Sequence, residues 1–181
     1  MKKYLIVVDM QNDFIDGALG SKEAVEILPR VKRKIEDFDG EVIFTKDTHY
    51  DDYLNTSEGK YLPVKHCIKG TEGWELSSEL KPLCERLNSK VYEKSTFGCI
   101  KLAEDLNIIN KSEEIDSIEL CGLCTDICVV SNALLIKANL TETPMYIQAD
   151  CCAGVTPAKH EAALETMRSC QIVVKLSLIH I

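Results

Sequence analysis

The chain has 181 residues, 45% of them hydrophobic, with 21 basic and 29 acidic residues and a net charge of −8. That length suits a single domain over residues 1–181, and the acidic balance argues against nucleic acid or an anionic membrane as partner, leaving a small molecule. The opening MKKYLIVVDM reaches Asp9 too soon for a signal peptide and no stretch has transmembrane length, so a cytoplasmic protein is expected.

The first apolar run, residues 4–8, reads as a buried strand ending on Asp9. Val25, Leu28, Val31, Ile35 and Phe38 then space one helix face, and a second strand at 41–45 leads to Asp47 and His49. Residues 48–73 have little periodicity but hold His49 and His66, half of the chain's four histidines. Loops that long inside a compact domain are usually functional. Leu76, Leu80, Leu83 and Leu87 space another helix, 90–93 is a third strand closed by Lys94, and 100–110 is helical. A fourth strand at 117–121 runs through Gly122 into a helix over 125–138. A fifth strand at 145–148, a helix at 157–169 opened by Thr156-Pro157, and a sixth strand at 171–174 complete the alternation, with 176–181 unassigned. Strands alternating with helices predict an α/β fold, a parallel sheet covered on both faces.

Asp9, Asp47, His49, Lys94, Asp126 and Cys128 all fall just past strand ends, the edge where open α/β sheets bind ligands. Cys128 lies in the first turn of a helix, whose partial positive charge favours thiolate, so it is the candidate nucleophile, with the backbone N–H groups of Cys124 and Cys128 as oxyanion donors. Asp9 is the candidate base, partial burial raising its pKa, although a carboxylate there also suits capping of the following turn. Lys94, alone an ordinary solvated lysine, would beside these two hold carboxylate and thiolate together. Asp47 and His49, with Glu58 and His66 in the loop, suit one divalent transition metal such as zinc, iron or manganese. His160 reads as helix surface.

Nine cysteines, an odd number scattered through apolar segments, are expected to be mostly reduced and buried. Cys121 and Cys124 also match a CxxC redox pair, but such a motif needs its first cysteine exposed and Cys121 closes a buried strand. Zinc binding by Cys121, Cys124 and Cys128 lacks a fourth ligand, and neither GxGxxG nor GxxxxGK[ST] occurs.

VVDMQNDF (7–14), TKDTH (45–49), HCIKGTEGWEL (66–76), YEKSTFGC (92–99) and CGLCTDICV (121–129) make the chain similar, over residues 4 to 174, to the isochorismatase-like cysteine hydrolases of nicotinamidase type. The resemblance implies a three-layer αβα fold with a six-stranded, mostly parallel sheet of order 3-2-1-4-5-6. It implies a triad of Asp9, Lys94 and Cys128, a cis peptide between Leu123 and Cys124, and a homo-oligomer. It further implies hydrolysis of nicotinamide to nicotinate and ammonia through a thioester, feeding NAD salvage. The metal positions of that type fall on Asp47, His49, His66 and Glu58, with Asp51, Asp52 or a water as alternatives to Glu58. Where the family often has a Trp before the second metal His, this chain has Tyr61-Leu62-Pro63-Val64-Lys65, so Phe14, Tyr61 and Phe97 are the expected aromatic wall. A metal-independent amidase acting on a ureido or carbamoyl compound is the competing reading.

Overall fold

Six strands, β1 (Lys3–Val8), β2 (Glu41–Asp47), β3 (Lys90–Lys94), β4 (Ser117–Leu123), β5 (Met145–Ala153) and β6 (Val173–Lys175), form one parallel sheet of order β3-β2-β1-β4-β5-β6. The structure, a computed structural model, describes residues 2–176. Tyr4 to Val8 are each at most 1% exposed, as a central strand covered on both faces requires. The chain order reverses between β1 and β4, which makes their carboxyl ends the switch point of the sheet.

The helices are α1 (Asn12–Ile15), α2 (Lys22–Glu36), α3 (Ser57–Tyr61), α4 (Lys81–Arg86), α5 (Ile100–Ser112), α6 (Val130–Asn139) and α7 (Pro157–Ser169). Ser21 caps α2 by accepting the Ala24 N–H at 3.0 Å, and Thr156 caps α7 through the Lys159 N–H at 3.2 Å. The buried face of α2 is Ala24, Ile27, Leu28, Val31 and Ile35. Val25, expected on that face, is 47% exposed because it lies a quarter-turn away from Ala24. The four-leucine helix is shorter than its spacing predicts. Pro82 fixes the start of α4, so Leu76 stays outside it in a bridge with Gln11, and Leu87 follows it half-exposed.

Three further boundaries depart from the sequence reading. β5 runs on to Ala153, with the β4–β5 register shifting between Leu120 and Gly122, while β6 begins only at Val173. The segment Thr125–Val129 is a π-helical turn rather than the start of an α-helix. Residues 177–181, which include His180 and most of the unassigned tail, lie outside the described residues. Among those described, no helix is long and apolar enough to cross a membrane.

Gly122 sits near the carboxyl end of β4, between Val8 and Cys152, at φ 118, and a Cβ there would come within 2.1 Å of the Val8 carbonyl oxygen. Only glycine meets both conditions. Gly122→Ala is expected to destabilise the fold by about 3 kcal/mol or more, read as a lowered denaturation midpoint; an unchanged midpoint would contradict this packing.

Candidate active site

Asp9 terminates β1 fully buried at φ 48, with the Thr45 hydroxyl donating to its Oδ1 at 2.6 Å. Lys94, the last residue of β3, places Nζ 2.7 Å from Asp9 Oδ2, 3.3 Å from Asp47 Oδ1 and 3.4 Å from Cys128 Sγ. The sheet register accounts for part of this. Asp47 and Lys94 are direct partners across β2 and β3, so their side chains leave the sheet on the same side. Cys128 arrives from the π-helical turn after β4, and its sulfur accepts from the same Lys94 ammonium that pairs with Asp9. The peptide between Leu123 and Cys124 is cis, the geometry that the resemblance implies.

Burial raises the Asp9 pKa, the Asp47 charge adds to this, and Lys94 opposes it. Lys94 is held well above the ordinary range, since Asp9, Cys128 and Asp47 together outweigh its burial. The Cys128 thiol is also pushed well up, by burial first and then by Asp9, with the Lys94 ammonium opposing. The helix-terminus argument alone expects a thiolate here. Burial opposes that preference and favours the thiol.

Beside this trio, Asp47, His49, Glu58 and His66 bring one ligand atom each to within 4.8 Å of one another. The Val64 carbonyl accepts from His66 Nδ1 at 2.8 Å, which leaves the Nε2 lone pair facing the cluster. His49 Nε2 is buried without a hydrogen-bond partner and lies 2.9 Å from Asp47 Oδ2 and 3.6 Å from Glu58 Oε1. An orphaned ring nitrogen among two carboxylates and a second imidazole fits a divalent transition metal. Burial would raise the Asp47 pKa, but the two imidazoles and Lys94 outweigh it and hold the carboxyl below the usual range. Asp51 and Asp52 are exposed and outside the cluster.

A cavity of about 960 Å³ joins the two groups, bordered by Asp47, Glu58 and His66 and by Cys124 and Cys128. Phe14, Tyr61 and Phe97 all border it, but only Phe14 is buried. Tyr61 is 95% exposed and stands at the rim rather than in a wall. Asp126 takes no part. Its Oδ1 accepts the Val155 N–H at 2.9 Å and tethers the loop after β5. His160 is half-buried rather than a surface residue, its Nδ1 paired with Thr125 Oγ1 at 2.8 Å. Cys121 and Cys124 are not joined in a disulfide, and Cys121 is wholly buried, which removes the exposed first thiol that a redox pair needs. Residues that support Asp9 and Cys128 escaped the sequence reading. Thr45 holds Asp9, and Asn132 donates to the Cys128 and Phe97 carbonyls at 2.8 and 3.1 Å while accepting the Cys99 N–H at 2.8 Å. The one available signal for Asn132 is an amide four residues after Cys128 in an apolar helix.

A parallel α/β sheet with a thiol, a carboxylate and an ammonium gathered at its switch point belongs to the hydrolase class. The chain belongs to the isochorismatase family, whose Isochorismatase domain matches residues 3–177. It is similar to the crystal structure of nicotinamidase from Bacillus subtilis, at 33% identity and a TM-score of 0.78 over 96% of this chain and 99% of that one. It is also similar to the pyrazinamidase of Pyrococcus horikoshii solved in complex with zinc, at 28% identity and a TM-score of 0.79 over 98% and 100% of the two chains. The nicotinamidase/pyrazinamidase of Mycobacterium tuberculosis is 29% identical over 93% of this chain and 95% of its own.

Proposed function

We propose that the protein is a nicotinamidase, hydrolysing nicotinamide to nicotinate and ammonia in the recovery of pyridine nucleotides, as one catalytic domain over residues 1–181. The observation that carries this reading is the Asp47, His49, Glu58 and His66 cluster, set on the same cavity as Cys128. Similarity to nicotinamidases and pyrazinamidases supports it. A cytoplasmic setting and a homo-oligomer belong to the same proposal, through the resemblance.

Asp9 is the base, Cys128 the nucleophile and Lys94 the charge that holds them together. Asp9 takes the thiol proton, and sulfur bonds to the carboxamide carbon as the carbonyl electron pair moves to oxygen. The N–H groups of Cys124 and Cys128 receive that oxyanion. Asp9 returns the proton to nitrogen, the C–N bond breaks, and ammonia leaves a thioester. Asp9 then removes a proton from water, whose oxygen replaces sulfur at the carbonyl carbon, and the proton restores the thiol. Asp47, His49, Glu58 and His66 would hold a divalent zinc, iron or manganese ion, which when bound supplies a Lewis-acidic anchor for the pyridine nitrogen. Phe14 and Phe97 flank the ring.

Ammonia release from a panel of amides tests the reading. Nicotinamide is expected to be turned over fastest, with KM rising roughly tenfold or more after chelator treatment and falling back when zinc is restored. Faster turnover of a ureido or carbamoyl compound, indifferent to metal, would replace the substrate assignment.

A further inference from the structure

The segment 9–14 does more than carry Asp9. Gln11 is fully buried, and its side-chain amide brackets the backbone of Asp47: Nε2 donates to the Asp47 carbonyl at 2.8 Å and Oε1 accepts the Asp47 N–H at 2.7 Å. The same Nε2 donates to the Trp74 carbonyl at 2.8 Å. Two residues on, Asp13 Oδ2 accepts the Cys67 N–H, the peptide joining Cys67 to His66, at 2.7 Å, while Oδ1 accepts the Ala18 N–H at 3.2 Å. Cys67 is held at φ 45, a conformation that non-glycine residues seldom adopt without support. Phe14 completes the contact, its ring centroid 5.4 Å from that of His66.

The chemistry at each position is specific. Bracketing the N–H and the C=O of one residue needs a donor and an acceptor on one side chain, which an amide supplies and a carboxylate does not. The Asp13 position needs two acceptors and no donor, which a carboxylate supplies and an amide does not. Each residue is thus the member of its isosteric pair that its partners require, and those partners are the backbones of Asp47 and of the peptide after His66.

We propose that Gln11 and Asp13 are positioning residues that fix Asp47 and His66 before a cation arrives. The divalent-metal affinity of the cluster is then set by the segment that carries Asp9. This rests on the metal reading above. Ligands ordered in advance lose less entropy when the ion binds, and outer partners of this kind are typically worth a factor of ten to a hundred in affinity.

Gln11→Glu and Asp13→Asn each change one atom type while keeping shape, and Gln11→Met, uncharged and of similar length, replaces the first if it fails to fold. Zinc affinity of the full chain is measured by competition with a chromophoric chelator, beside nicotinamide kinetics and the rate of Cys128 alkylation by iodoacetamide in metal-free protein. The expected result is an affinity loss of about 10- to 100-fold in each variant, with KM rising and kcat within about threefold of the parent. The alkylation rate should match the parent, whereas a general loosening of the fold would raise it. Zinc affinities within about twofold of the parent in both folded variants would overturn the proposal while leaving the metal reading intact. A parent chain that takes up no zinc would overturn both.

Discussion

Cys128→Ala is expected to lower kcat for nicotinamide by about four orders of magnitude or more, the scale on which loss of a nucleophile is felt in comparable hydrolases. The reason is local. Cys128 Sγ is the group that shares Lys94 Nζ with Asp9, 3.4 Å from that ammonium, and it borders the cavity. Alanine leaves the backbone of the π-helical turn and the cluster at Asp47, His49, Glu58 and His66 in place. Zinc uptake should therefore match the parent, and the fold should lose only about 1 kcal/mol for the vacated sulfur. Ammonia release and metal content, measured on the same preparation, separate the two effects. Turnover within tenfold of the parent would remove Cys128 from the chemistry.

Lys94→Met should damage both activity and the fold. Lys94 is buried, and its ammonium lies between the equally buried carboxylates of Asp9 and Asp47 at 2.7 and 3.3 Å. A methionine fills much of the space but leaves two carboxylates facing each other without the ammonium between them, a loss of about 3–5 kcal/mol in metal-free protein at neutral pH. The pH dependence has a definite sign. Burial already raises the Asp9 pKa, and removing Lys94 removes the largest influence that lowers it, leaving the Thr45 hydrogen bond. A carboxyl whose folded pKa lies above its unfolded value favours the fold when protonated, and that support disappears as pH rises through the folded pKa. The Lys94→Met deficit should accordingly shrink on acidification from neutrality toward the ordinary carboxylate range and grow above it. Denaturant midpoints of parent and variant, taken across pH, read this directly. A deficit that widened toward acid would contradict the assigned charges.

Much of the fold is legible in the sequence because parallel strands covered on both faces become continuous apolar runs. Tyr4 to Val8 is such a run, and Asp9 ends it. The less legible features depend on the third dimension. β5 continues through Asp150 because its neighbour β4 shifts register near Gly122, which no local pattern records. Val25 and Ile100 are apolar yet 47% and 58% exposed, because a helix face is fixed by what it packs against as well as by spacing. The positions of the site residues follow from strand ends, as with Lys94 opposite Asp47. Their electrostatics do not: spacing puts Cys128 at a helix start, but burial sets the direction of its pKa. The hydrogen bonds from Thr45 to Asp9, Gln11 to Asp47, Cys67 to Asp13 and Cys99 to Asn132 are invisible for a related reason, since each joins segments more than thirty residues apart.

The Asp47 carboxylate is divided between two sides of the site, with Oδ1 toward Lys94 and Oδ2 toward His49 and His66. This bears on how such a pocket can diverge. Exchanging Asp47 would disturb the cluster of possible metal ligands and strip the ammonium of its second counter-charge at the same time. A substitution at His49, Glu58 or His66 leaves the Lys94 pair in place, so the pocket would tolerate change there more readily than at Asp47.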